Sequence, residues 1–172
     1  MNVLGTQTVL RAGEVPKRLL LISEGLGHMY FRRKVNNGAS QKRTQNITRL
    51  VASPGEWLTV PDAFIDQTRS DEQIDLMGGS KIFYLYHNDF KNLCETDEIF
   101  RRASHRLWTG MVRKGFKRED VLKILHPLES RLDLLLGAYP NLEGDLPNRK
   151  ALASLVGVSE STVKRYLAKR KA

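Results

Sequence analysis

The stretch from Pro147 to Lys171, PNRKALASLVGVSESTVKRYLAKRK, constrains the fold more than any other part of the chain. Leu152, Ala153 and Val156 recur at helical spacing before Gly157, and Val163, Tyr166 and Leu167 recur after it. Between them, Gly157-Val158-Ser159 reads as a tight turn. Glycine accepts the positive φ that ends a helix, and a serine hydroxyl can accept from the orphan N–H groups of the next one. Ala153 is small enough to let two helix axes approach closely. The positions left outside on the second helix are Glu160, Ser161, Lys164, Arg165, Ala168 and Lys169, a polar and mostly basic face on a rigid rod. Such a face suits the major groove of DNA. An ordinary αα-hairpin with a solvated basic face also satisfies the pattern, although the small residue, turn, cap and basic face together favour the DNA reading.

Charge bears on that choice. The formal net charge is +9. Residues 1–95 carry 12 basic and 10 acidic groups, residues 96–126 carry 8 and 4, and residues 127–172 carry 8 and 5. The excess lies in the second half, with the helical pair, and supports an anionic partner weakly, because lysine also serves solubility. The 172 residues, 41% of them hydrophobic, allow one or two small domains with their own cores. No run of about 18 apolar residues occurs, so no membrane partner is expected. The opening MNVLGTQTVLRAG lacks the apolar core of a signal peptide, and a cytoplasmic location follows as the default.

The single cysteine, Cys94, excludes an intramolecular disulfide and a cysteine-rich metal cluster. His28, His87, His105 and His126 are scattered without ligand spacing, so no metal site is expected. His28, on a strand, reads as a packing histidine. No nucleophile–base pair and no P-loop glycine pattern is present, so an enzyme is not expected.

Residues 1–90 read as β-structure. Strands are expected at Thr8–Leu10, Arg18–Ile22, Gly27–Phe31, Thr44–Val51, Ile74–Leu76 and Lys81–Tyr86, with turns at Ala12-Gly13-Glu14, Ser23-Glu24-Gly25, Ser53-Pro54-Gly55-Glu56 and Gly78-Gly79. Asn36-Asn37-Gly38 is a hairpin signal. Short strands at this rhythm indicate a small sandwich or barrel, with no long helix before residue 88. A short helix over Phe90–Cys94, capped by Asn88 or Asp89, then leads to a longer one opened by Thr96, Asp97 and Glu98. Its apolar positions are Ile99, Phe100, Ala103, Leu107, Met111, Val112, Val121, Leu122 and Leu125, with Gly115 as a weak point that can mark a bend. A dimer seam is a natural use of so long a stripe, and packing on the β-domain is the other. After Pro127, Leu128, Leu132, Leu135 and Leu136 form the inner side of a further helix that Pro140 ends. A loop over Asn141–Pro147 precedes the helical pair.

The order is therefore β-domain, connecting helix, helical reading head. With Leu10-Arg11-Ala12-Gly13-Glu14, Leu21-Ile22-Ser23-Glu24-Gly25, Pro54-Gly55-Glu56, Pro127 to Leu132, Tyr139-Pro140-Asn141-Leu142, Leu152 to Ser159 and Thr162 to Arg165, the chain resembles the Crp/Fnr-type transcription regulators, in particular a divergent branch found in Bacteroidetes. The resemblance covers nearly the whole chain. It implies an α+β fold: a cyclic-nucleotide-binding-like β-roll over residues 1–95, a dimerisation helix over 96–126, and a helix-turn-helix DNA-binding domain over 127–172. The chain ends at Ala172, just past the second helix, so a C-terminal wing is expected to be reduced or absent. The helix that usually precedes the roll is not expected either, since the first strand lies close to Met1.

What the resemblance implies for function is a sequence-specific DNA-binding regulator. Its partners would be double-stranded DNA, a second copy of the chain and RNA polymerase, and an unidentified small molecule would act in the roll. The alternative is a ligand-sensing or protein-interaction module that has lost DNA binding. In the reading helix, Arg165 is the candidate for a bidentate guanine contact, and Lys164 and Lys169 are candidates for phosphates. Ser161 and Thr162 can reach either, Ser159 caps, and Glu160 can accept from cytosine or stabilise the helix N-terminus. In nucleotide-binding relatives a Gly-Glu pair and a later Arg-Ser pair hold the ribose and cyclic phosphate. Gly55-Glu56 and Arg69-Ser70 are the candidates here. Asp71 and Glu72 follow at once, and carboxylates beside a phosphate site repel it, so a cyclic nucleotide is not the expected ligand and no cofactor is assigned. The family's iron–sulfur oxygen sensing needs several cysteines, which this chain lacks.

Overall fold

The computed structural model describes residues 1–36, 42–124, 127–143 and 146–170. The first half holds seven strands: β1 (Gln7–Leu10), β2 (Arg18–Glu24), β3 (Gly27–Asn36), β4 (Lys42–Ala52), β5 (Trp57–Leu58), β6 (Glu72–Leu76) and β7 (Lys81–Tyr86). They form two antiparallel sheets, one ordered β1-β6-β3-β4 and the other β5-β2-β7. The long β3–β4 pair runs from Gly27 opposite Ala52 to Asn36 opposite Lys42. The Asn37-Gly38 turn expected to close it lies outside the described residues.

Two short elements of this half lie outside the sequence expectations. One is the two-residue strand β5. The other is a short helix, α1 (Pro61–Asp66), opened by a proline at its start. Proline suits that position because the N–H it lacks has no helical partner there. Next, α2 spans His87–Thr96, longer than the expected Phe90–Cys94, and its start carries no side-chain cap from Asn88 or Asp89. Asp97 does act as a carboxylate cap: its Oδ1 accepts from the N–H groups of Ile99 and Phe100 at 2.8 and 3.0 Å, opening α3 (Glu98–Ile124). α3 continues through position 115 as one helix.

The continuous apolar run Leu19 to Ile22 follows from burial on both faces of β2. Leu20 and Ile22 enter the core between the sheets with Ile74 and Leu76. Leu19 faces the other way, into a cluster with Phe64 and Phe90. There the Phe90 ring meets Phe64, Phe100 and Trp108 at centroid separations of 5.6 Å each. Aromatic contacts of this kind fasten α2 and α3 to the roll.

Over its described side chains the expected apolar stripe of α3 is therefore divided, while Val121, Leu122 and Leu125 lie outside them. Phe100, Leu107 and Met111 turn to the roll, joined by Trp108, which the stripe did not include. Ile99 and Val112 remain 81% and 52% exposed, and Ala103 is exposed with Ile99.

α4 (Leu128–Ala138), a 3₁₀ turn (Pro140–Glu143), α5 (Leu146–Val156) and α6 (Glu160–Arg170) complete the chain. Much of the loop expected over Asn141–Pro147 is thus helical, with Pro147 in the first turn of α5. Leu132, Leu135, Leu136, Leu152 and Val163 are buried together, in a cluster that also includes Leu26, Val51 and Met77 of the roll. Head and roll share that core. Polar contacts reinforce it at β4, the edge strand of its sheet. The Ser154 hydroxyl accepts from the Thr48 N–H at 2.8 Å and donates to the Asn46 carbonyl at 2.8 Å. A helix thus covers an edge whose unpaired backbone groups would otherwise invite another strand. His28 is buried, as expected of a packing residue, with Nε2 2.8 Å from Thr48 Oγ1.

Candidate nucleic-acid interface and ligand cavities

The turn between α5 and α6 places Gly157 at φ +79, a conformation that disfavours a side chain. Ser159 stands before the first residue of α6, and its Oγ accepts from the Thr162 N–H at 3.2 Å. The hydroxyls of Ser161 and Thr162 lie 2.7 and 2.8 Å from the same oxygen. Glu160, half-buried, occupies the first turn, where a carboxylate meets the positive end of the helix dipole.

The inner side of α6 buries Val163 and Leu167. Tyr166 is half-buried and donates its hydroxyl to the Asp133 carboxylate of α4. Burial, then that carboxylate, push its phenol up to about 12. Arg170 is paired with Glu143 and lies 3.9 Å from Asp133. These two side chains fasten α6 to the rest of the head. Neither tie was read from sequence, because each partner lies more than 25 residues away. Arg131 adds a third, donating to the Val156 carbonyl at 3.4 Å, at the end of α5.

The outer side of α6 presents Ser161, Lys164, Arg165 and Lys169, all exposed. The three cations make no hydrogen bond or ion pair among the described residues. Five of the seven candidate DNA-reading residues are therefore exposed, and of these Ser159 builds the helix start together with the half-buried Glu160 and Thr162.

The four candidate ligand residues are not brought together. Gly55 and Glu56 lie in the β4–β5 turn, where Glu56 Oε2 accepts from the Ser53 N–H at 2.7 Å. Arg69 and Ser70 line a cavity of about 800 Å³ between the roll and α3, floored by Met29, Leu50 and Met111. Ser70 is buried and its Oγ accepts from the Glu72 N–H at 2.9 Å. Three carboxylates line this cavity, Asp62, Asp71 and Glu72, against the cations Arg49 and Arg69. Glu72 pairs with Arg49 at 3.0 Å. The balance is unfavourable for a phosphate. Among the described residues no group of three or more His, Cys, Asp and Glu side chains is placed to hold a metal ion, and no helix is long and apolar enough to cross a membrane.

Comparison with solved structures identifies the architecture. FixK2 from Bradyrhizobium japonicum superposes with a TM-score of 0.73 at 14% identity, covering 99% of this chain and 83% of that one. TTHB099, a CRP-family transcriptional regulator from Thermus thermophilus, gives 0.67 at 16% identity, with 97% and 82% covered. The c-di-GMP responsive global regulator CLP from Xanthomonas campestris gives 0.63 at 15% identity, with 97% and 83% covered. The chain has the Crp/Fnr-type fold, a β-roll of cyclic-nucleotide-binding type followed by a helix-turn-helix head. No protein-family model matches the chain, and no curated protein matches it.

Proposed function

We propose that this protein is a sequence-specific DNA-binding transcription regulator. In this reading residues 1–95 sense a small molecule, residues 96–126 pair two chains, and residues 127–172 read DNA. The observation that carries it is the outer face of α6: Lys164, Arg165 and Lys169 project from a capped, fastened helix without partners among the described residues. Idle cations at fixed helical positions match what phosphate and base contacts require. Arg165 reads guanine, and Lys164 and Lys169 hold the backbone. Two heads in a symmetric dimer place their reading helices in successive major grooves, about 34 Å apart, on a pseudo-palindrome. The exposed Ile99 and Ala103 side of α3 supports the pairing, since the roll leaves it uncovered. RNA polymerase is the partner that the regulator reading supplies.

Selection of bound fragments from genomic DNA, followed by titration at two salt concentrations, tests the proposal. A recurring palindromic motif and a steep loss of affinity with salt are expected. Retention of no fragment, or affinity indifferent to both sequence and salt, refutes it and leaves the reading in which the chain senses a ligand without binding DNA.

A further inference from the structure

A second cavity, of about 710 Å³, opens in the roll next to the one beside α3, and Arg69 lines both. Its inner wall is apolar, with Leu10 and Leu20 from the two sheets and Ile74 beside them. Its rim carries Lys17, Arg18 and Arg69, and one carboxylate, Glu14. That carboxylate is engaged: Glu14 Oε2 accepts from the Arg11 N–H at 2.9 Å, and its other oxygen lies 3.8 Å from the Arg11 guanidinium. The side chains of Lys17 and Arg69 make no hydrogen bond or ion pair among the described residues. Arg18 is half-buried and stacked over the Tyr84 ring, 5.6 Å from its centroid. The cavity beside α3 has more carboxylates than cations, whereas this one has a positive excess over an apolar floor.

The rim is built rather than loose. The Gly13 N–H donates to the Ser70 carbonyl at 2.7 Å, and the Ser70 N–H donates to the Glu14 carbonyl at 3.0 Å. These two bonds tie the segment bearing Lys17 to the segment bearing Arg69. Thr59, fully buried, donates its hydroxyl to the Arg18 carbonyl at 3.2 Å. Gln67 donates to the Pro16 and Phe64 carbonyls at 3.2 and 2.7 Å, from a backbone held at φ +51. A non-glycine residue in that conformation is strained and persists where surrounding bonds over-determine it.

We propose that this cavity binds a small organic anion, a carboxylate or phosphate head on an apolar body, with Lys17, Arg18 and Arg69 receiving the head and the inter-sheet floor receiving the body. The volume lies within the range of small-molecule sites, and few charged groups over an apolar floor is how such sites are composed. Arg18 and Arg69 offer planar guanidinium groups that match carboxylate and phosphate oxygens, and Lys17 adds a point charge. The proposal deepens the effector part of the regulator reading and rests on it. Binding is therefore measured without DNA, so that loss of DNA binding and loss of ligand binding remain separate results.

Calorimetric titration of the full chain uses decanoate, 1-naphthoate and 1-naphthyl phosphate as probes, with decan-1-ol as the uncharged control. At least one anion is expected to bind at one per chain, and decan-1-ol at least tenfold more weakly than decanoate where decanoate is the binder. The two naphthyl probes separate a carboxylate head from a phosphate head. Lys17→Gln and Arg69→Gln, both exposed residues whose side chains make no bond among the described residues, are each expected to weaken the binding anion about tenfold. Asp62→Asn, in the cavity beside α3, is expected to leave it unchanged. Binding of none of the three anions at millimolar concentration overturns the proposal. So does equal binding of decanoate and decan-1-ol, or anion binding that Lys17→Gln and Arg69→Gln leave unaltered.

Discussion

Ser154→Ala isolates the polar seam between the reading head and the roll. One hydroxyl serves two backbone groups of β4, accepting from the Thr48 N–H and donating to the Asn46 carbonyl, both at 2.8 Å. Thr48 is 1% exposed, so its N–H is left without water when the hydroxyl is removed. Such an orphan donor costs about 1–3 kcal/mol. Asn46 is exposed, and water replaces the lost donor there at little cost. Against this, alanine is the better helix former in α5, a gain of up to about 0.5 kcal/mol. The donor term wins, leaving a net loss of about 0.5–2.5 kcal/mol. Urea unfolding reads it as a lower midpoint at unchanged slope. Amide hydrogen exchange gives the second readout: the Thr48 N–H, protected by Ser154 in the parent, gains more in exchange rate than strand-paired amides in β2, which speed up only by the global loss of stability. Ser154→Thr, which keeps the hydroxyl, retains most of the Thr48 protection. A midpoint that stays the same or rises, with Thr48 exchange unchanged, refutes the assignment of this seam to Ser154.

Four other outcomes follow from named residues. Arg165→Ala removes the candidate guanine contact and is expected to cost about 1–3 kcal/mol of specific DNA binding with relaxed preference at one base position, read by titration against a randomised operator library. Gly157→Ala meets no atom within 4 Å and carries only the left-handed backbone cost, about 1–2 kcal/mol. Gly25→Ala, by contrast, drives a Cβ to 2.7 Å from Ser80 Cα and 2.4 Å from Ser80 Oγ, and should cost about 3 kcal/mol or more; equal thermal shifts for the two would contradict this. Burial first, then the Asp75 carboxylate, push the Tyr30 phenol from 10.0 up to about 12, so the folded chain holds that proton where the unfolded chain has lost it, and stability falls as pH rises from about 10 to 12; Tyr30→Phe should make that decline shallower in melts across the range. Ala103→Glu places like charges across the proposed α3 seam, and sedimentation should show a shift toward monomer with the far-ultraviolet helix signal unchanged.

The strands were legible where one signal sufficed. Gly27 to Phe31 and Thr44 to Val51 announce themselves by β-branched and aromatic residues between turn residues, and they pair as β3 and β4. The element that escaped, α1, has only six residues and lies in a segment with no helical period to count. Its reason for being helical is tertiary: Phe64, fully buried, enters the cluster with Leu19 and Phe90. The α3 stripe was legible as apolar, but its division was not. Phe100 and Ile99 are adjacent in sequence and both apolar. Only the position of the Phe90 and Trp108 rings sends one inward and leaves the other 81% exposed.

The same limit separates the arginines of α6. Period alone places Arg165 outside, because Val163 and Leu167 on either side of it define the buried stripe, and the structure leaves it exposed. Arg170 carries the same charge five residues on, yet pairing with Glu143 and the nearby Asp133 turns it into a fastening residue. Periodicity within one helix can decide the first case and cannot decide the second, because the partners lie on α4 and the 3₁₀ turn. The candidate ligand residues divide in the same way. Gly55-Glu56 satisfies a dipeptide pattern, but the Glu56 carboxylate is engaged by the Ser53 N–H three residues back. The charges that do line a cavity, Lys17, Arg18 and Arg69, come from segments about fifty residues apart, joined by the Gly13–Ser70 and Ser70–Glu14 backbone bonds. A dipeptide specifies a local turn, whereas a binding site of this kind depends on which distant segments the sheets bring to one rim.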